Sequence, residues 1–112
     1  MTEAVVQQHI RLAIGGKATL WRNNTGAYKD ESGRLVRYGL CTGSSDLIGF
    51  TPVKVTPEMV GHTIPVFTAI EVKHGRGKPT PEQLNFVSHV TKHGGYAGIA
   101  YSIEDALRIC GL

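Results

Sequence analysis

The stretch "VFTAIEVKHGRGKPTPEQLNFVSHVTKHGGYAGIA", residues 66–100, decides the fold. It opens on a run of β-formers, "VFTAIEVK", that closes on an acid and a lysine, Glu71 and Lys73. "TPEQLNFVSHVTKHGG" then carries the marks of a helix: Thr80 as N-cap, Pro81 at the first helical position, Gln83 completing a capping box, and Gly94-Gly95 as the stop. "YAGIA" is a second run of β-formers. Two strands joined through a helix form a βαβ unit, whose right-handed crossover lays the helix on one face of the sheet.

Outward from this unit the signals shorten. Residues 2–14 read as a helix, with Thr2 as N-cap, Val6, Ile10, Ala13 and Ile14 on one stripe, and Gly15-Gly16 as the stop. Glu3 shares that stripe. "ATLWRNN" reads as a strand, "GAYKDESGRLVRYG" as a hairpin turning at "KDESG", and "GSSDLIGF", residues 43–50, as the start of a strand buried on both faces. "TPVKVTPEMVGHTIP" holds three of the five prolines and reads as a loop with at most one short helical turn, capped by Thr56, opened by Pro57 and closed by Gly61. "SIEDALRICGL" is a terminal helix with Ser102 as N-cap and Glu104 and Asp105 in its first turn. The order α-β-β-β-α-β-α describes an α/β fold, a mixed central β-sheet of about four or five strands flanked by helices.

At 112 residues the chain is expected to form a single domain, residues 1–112, with one core. Its 41% hydrophobic and 19% charged residues are those of an ordinary globular protein. Twelve Lys+Arg against nine Asp+Glu give a net charge of +3, which favours a polyanionic partner. The cations cluster: Lys17, Arg22, Lys29, Arg34 and Arg37 in the first third, then Lys73, Arg76 and Lys78 beside His74. Cys41 and Cys110 have neither disulfide-scaffold nor zinc spacing, and are expected to be reduced. No signal peptide and no apolar run long enough to cross a bilayer is visible, so a cytoplasmic location and no membrane partner are expected.

Chemistry gathers at three places. Asp46 heads one strand, Glu71-Val72-Lys73 ends another, and Gln83 lies in the first turn of the following helix. Residues two apart in a strand point to one side, so Glu71 and Lys73 project together while Val72 is expected to turn to the core. Two carboxylates converge stably only around a cation, and carboxylate oxygens with a backbone carbonyl suit Mg²⁺ or Mn²⁺. A divalent ion beside a lysine is equipment for phosphodiester hydrolysis.

These residues resemble the PD-(D/E)XK nuclease superfamily and, within it, the small stand-alone VRR-NUC nucleases found in phages. "GSSDLIGF" matches the acidic motif, "AIEVKHGRGKPTPEQLNFV" the (D/E)XK motif with its glutamine helix, and "WRNNTGAY" the segment between first helix and acidic motif. The resemblance implies a restriction-endonuclease-like core and one VRR-NUC nuclease domain. It implies that Asp46, Glu71 and the backbone carbonyl of Val72 ligate the metal, that Lys73 is the catalytic lysine, that Gln83 orients it, a water or a phosphate, and that Glu3 reaches the metal from the first helix. Ser45 stands where the superfamily has its proline, as is common among VRR-NUC members. Arg22, Asn23, Asn24 and Ser44, together with Arg76 and Lys78 of the glycine-rich connection, are the expected nucleic-acid contacts. The implied activity is a metal-dependent DNA endonuclease, a homodimer selective for branched DNA such as a four-way junction. A non-catalytic nucleic-acid-binding module and an RNA-directed nuclease are the alternatives.

Several of these residues have plainer roles. Gln83 is required by the capping box, and Glu3 suits the first turn of a helix. The glycine-rich "HGRGKP" lacks the order of a Walker A loop. His89 and His93, four apart on a helix, read as surface residues or partners of the helix dipole rather than zinc ligands.

Overall fold

The computed structural model describes residues 2–112. The chain divides into two compact units, Met1–Thr51 and Pro52–Leu112. No helix among the described residues is long and apolar enough to cross a membrane.

In the first unit, helix α1 (Glu3–Ile14) begins where the Thr2 hydroxyl accepts from the N–H of Val5, and it ends at Gly15. The expected apolar stripe is only partly covered. Val6 and Ile10 are each about 40% exposed, and Gln7 and Ile14 are the half-buried positions. Strand β1 (Thr19–Arg22) pairs antiparallel with β4 (Leu47–Phe50), with Trp21 opposite Ile48 and Arg22 opposite Leu47. All four β4 residues are half-buried, in keeping with a strand shielded on both faces. Gly49 is required there, because a Cβ would be driven into the carbonyl of Thr19 on the facing strand. Trp21 meets Phe50 edge-on, with ring centroids 5.8 Å apart.

Strands β2 (Gly26–Lys29) and β3 (Leu35–Tyr38) form the expected hairpin. Asp30 builds its turn: one carboxylate oxygen accepts from the Ser32 hydroxyl and from the N–H groups of Ser32 and Arg34, while Gly33 takes φ +84°. The Ser32 hydroxyl, and next the Arg34 N–H, hold the Asp30 carboxyl below its usual range. Tyr38 lies across Gly26, whose absent side chain makes room for the ring.

In the second unit, a single 3₁₀ turn (Pro57–Met59) after Thr56 is all the helix that the proline-rich segment makes. Strand β5 (Thr68–Val72) pairs in parallel with β6 (Tyr96–Ala100), and α2 (Pro81–Lys92) connects them, so the βαβ unit read from the sequence is present. Thr80 and Gln83 make the capping box in full. Val90 of α2 is fully buried, and Gly95 lets the chain turn tightly beneath it, since a Cβ would come within 2.7 Å of Val90 Cγ1. Helix α3 (Ile103–Ile109) packs on β6, where Gly98 leaves room for Ile109.

Two expectations are corrected. Among the described residues five strands, not three, precede α2, and their ladders are the three pairs β1-β4, β2-β3 and β5-β6. Val72 does not turn to a core: it is 72% exposed, while its neighbours Glu71 and Lys73 are the half-buried residues. The cause is the placement of the helices. α2 covers the face of β5 that carries Ala69 and Glu71, and α3 packs on β6.

Candidate active site

Each unit carries part of the set read from the sequence. In the second, the parallel ladder runs past the end of β5, where the N–H of Lys73 donates to the carbonyl of Ala100 at 3.0 Å. That bond fixes which way every peptide of β5 faces. In a parallel pair alternate residues turn N–H and C=O toward the partner strand, so Phe67, Ala69, Glu71 and Lys73 face β6, and the carbonyl of Val72 points to the opposite edge. Glu71 and Lys73 share one face, Nζ to Oε1 3.6 Å, with side chains 33% and 20% exposed. Gln83 and Glu71 line one cleft of about 310 Å³ between β5 and α2, with Glu82 beside them and Ala69, Ile70, Phe86 and Val87 as its apolar wall. The cap engages Gln83 Oε1, which accepts from the N–H of Thr80 at 2.9 Å.

The connection after Lys73 is more ordered than a glycine-rich loop suggests. A turn closes from the N–H of Gly77 to the carbonyl of His74, with Gly75 at φ +58°. Tyr101, just past β6, donates its hydroxyl to the carbonyl of Gly77 at 2.8 Å. The loop bearing Arg76 and Lys78 is thus tied to the C-terminal end of β6 at its start, through Lys73, and at its middle, through Gly77. Asp105 completes the strap: one oxygen accepts from the N–H of Tyr101 at 2.8 Å and the other from the Arg108 guanidinium at 2.8 Å. The Tyr101 N–H first, and then Arg108, hold the Asp105 carboxyl below its usual range. No sequence signal pointed to Tyr101, because a bond across 24 residues leaves no periodic trace.

In the first unit, Asp46 is exposed at the head of β4, and its carbonyl accepts from the N–H of Asn23 at 2.8 Å. Asn23 and Ser44, expected as contacts to nucleic acid, are bonded to each other, Nδ2 to Oγ 2.6 Å. Ser44 also donates its hydroxyl to the carbonyl of Cys41 at 2.7 Å. Arg22 reaches Asn24 Oδ1 at 3.4 Å, and both side chains are exposed. Glu3 is exposed in the first turn of α1. Both cysteines are free. His93 Nδ1 lies 2.8 Å from the carbonyl of His89 at the end of α2.

Asp46, Glu71 and the Val72 carbonyl are hard oxygen donors, and β6 does not engage that carbonyl, so the donor types fit Mg²⁺ or Mn²⁺. Among the described residues no three His, Cys, Asp or Glu side chains are grouped as metal ligands.

A family model described as VRR-NUC domain matches residues 15–104. The match spans Asp46, Glu71, Lys73 and Gln83 and leaves out Glu3. No curated protein and no solved structure matches the chain.

Proposed function

Because the chain belongs to the VRR-NUC family, a nuclease family consistent with the PD-(D/E)XK superfamily, we propose that it is a divalent-metal-dependent endonuclease that hydrolyses DNA phosphodiesters. The observation that carries this reading is the Glu71–Lys73 pair at the end of β5, with Gln83 in the same cleft as Glu71. In this reading the two units make one nuclease domain on a restriction-endonuclease-like core, and the continuous family match across both supports it.

Asp46, Glu71 and the Val72 carbonyl would hold Mg²⁺ or Mn²⁺, with Glu3 as an added carboxylate. The ion would supply charge neutralisation at the scissile phosphate and a lower pKa for the attacking water. Lys73 places a positive charge two residues from Glu71, where it stabilises the charge that builds on the phosphate or steers the water. Gln83, with Oε1 fixed by the cap, presents its Nε2–H donors at a set orientation to a phosphate or water. Arg76 and Lys78, on a loop strapped to β6, clamp backbone phosphates and carry no sequence information. Cleavage leaves 5′-phosphate and 3′-hydroxyl ends.

We further infer selectivity for branched DNA by a homodimer in the cytoplasm of a phage-infected or bacterial host. Two-fold symmetry sets two active sites on two strands of a junction. Leu40 at 65%, Ile64 at 50% and Ile103 at 77% exposure supply apolar surface for such an interface.

The test is a panel of labelled four-way junctions, linear duplex, single strands and structured RNA, each incubated with Mg²⁺, Mn²⁺ or EDTA. Junction DNA is expected to be cut with either ion and left intact in EDTA. Binding without cleavage would replace the enzyme with a binding module, and cutting of RNA alone would change the substrate.

A further inference from the structure

Asn23 follows β1 and is half-buried. Its side chain is engaged within the first unit at both ends. Nδ2 donates to Ser44 Oγ at 2.6 Å and to the carbonyl of Ser45 at 3.0 Å, and Oδ1 accepts from the N–H of Leu40 at 3.1 Å. A primary amide has two N–H donors, and two acceptors face them here. Such a side chain can turn to a nucleic acid only by releasing what it holds.

What it holds is the connection between β3 and β4, the segment 39–46. That segment turns at Gly39 and Gly43, with φ +88° and +83°, and its own bonds close one turn between Cys41 and Ser44. It belongs to no ladder until Leu47. A connection of this kind loses its conformational freedom only to specific tethers. Asn23 ties it at Leu40 with one end of its amide and at Ser44 and Ser45 with the other, while its backbone N–H takes the carbonyl of Asp46. All four tethered residues come from one continuous run that ends at the acid.

We propose that Asn23 is the positioning residue of the Asp46 carboxylate and not a contact to nucleic acid. The proposal rests on the nuclease reading, since it assigns Asn23 to the carboxylate that would bind the metal. A ligand on the rim of an irregular loop must be held to a fraction of an ångström for use, and outer partners of ligands do this by hydrogen bonds. The amide of Asn23 fixes the two residues before Asp46, and its backbone fixes Asp46 itself. Ser44 takes the second part: its Oγ accepts from Asn23 and donates to Cys41 at 2.7 Å, passing the tether on to the turn.

Two variants and two readouts test this. Asn23→Leu is close in shape, uncharged and without polar side-chain atoms; Ser44→Ala removes one acceptor and keeps the Asn23–Ser45 bond. The first readout is amide hydrogen exchange of the protein alone. In Asn23→Leu the amides of residues 40–46 should exchange about tenfold faster or more while those of β1 and β4 keep their protection. The second is a split between metal and DNA: the Mg²⁺ concentration giving half-maximal cleavage should rise about tenfold, with KM for DNA within about twofold of wild type. Ser44→Ala should move both readouts in the same direction and less far. A raised KM with an unchanged metal midpoint would make Asn23 a DNA contact and overturn the proposal, as would unchanged exchange in 40–46. If Asn23→Leu fails to fold, an unchanged metal midpoint in Ser44→Ala overturns it. Wild-type protein that cuts no substrate defeats the nuclease reading alone, and the exchange experiment still decides whether the tether exists.

Discussion

The first unit holds the run ahead of its carboxylate by side chains, and the second holds its own on a strand ladder. Ahead of Asp46 the chain is irregular and is kept in place by the amide of Asn23 and the hydroxyl of Ser44. Around Glu71 the parallel ladder continues through the Lys73–Ala100 backbone bond. Backbone bonds survive substitution of the residues that make them, whereas a side-chain tether is lost with one residue. The two ends should therefore respond differently to mutation: at the first, changes of chemistry and changes of structure are entangled, and at the second they separate.

The sharpest separation is expected at Lys73. Its contact with Glu71 is a single partly exposed ion pair, worth no more than about 1 kcal/mol of stability. Lys73→Ala should thus leave the melting temperature almost unmoved while lowering kcat on the order of 10²- to 10³-fold, the loss typical of one removed charge-stabilising group. A variant that loses stability and activity together would break the contrast.

Stability should fail first in the other unit. Gly49→Ala forces a Cβ into the Thr19 carbonyl, a backbone atom that cannot swing aside as a side chain could. The β1–β4 pair must shift, at a cost on the order of 3 kcal/mol. Chemical denaturation measures it, and a loss under about 0.5 kcal/mol, the level of an ordinary surface change, would show that the ladder yields easily.

A smaller effect is expected at the strap of the second unit. Tyr101→Phe removes the hydroxyl bond to Gly77 and nothing else, about 1 kcal/mol. The Arg76–Gly77 peptide should then be nicked by trypsin several-fold faster, on the order of the factor that 1 kcal/mol gives, with Lys78–Pro79 as a built-in control that trypsin cuts poorly. Equal rates would mean that the turn from Gly77 to His74 orders the loop by itself.

The smallest effect concerns pH. Asp105 is held below its ordinary value of 3.8, so its contribution to stability is present above that value and is lost as pH falls through its lower folded value. The difference in melting temperature between wild type and Asp105→Asn should be constant from neutral pH down to about 4 and shrink below it. A difference that grows in acid would contradict the strap.

Much of this was legible in the sequence for physical reasons that are local. The capping box, the proline at the first turn of α2, the glycine stops and the β-rich runs each act within a few residues, and the βαβ unit and hairpin follow from them. What was not legible depends on distant partners. Val72 was expected inside because strand alternation says which residues share a face, not which face a helix will cover. Asn23 and Ser44 are both among the expected nucleic-acid contacts, and the bond between them spans 21 residues and shows only in three dimensions. Tyr101 gave no signal for the same reason. Glu71 and Lys73 were legible as a pair because they lie two apart on one strand.

If the proposed nuclease uses Asp46 and Glu71 in one reaction, a double-mutant cycle on junction cleavage will show it. Single-turnover rates with Mg²⁺ and Mn²⁺ would be compared for Asp46→Ala, Glu71→Ala and the double variant, each checked for folding and for DNA binding in EDTA. Either single change should lower the rate on the order of 10³-fold or more, and the double change should be scarcely worse, as for residues that act as a unit. Cleavage near the wild-type rate by Asp46→Ala, or losses that multiply in the double variant, would contradict it.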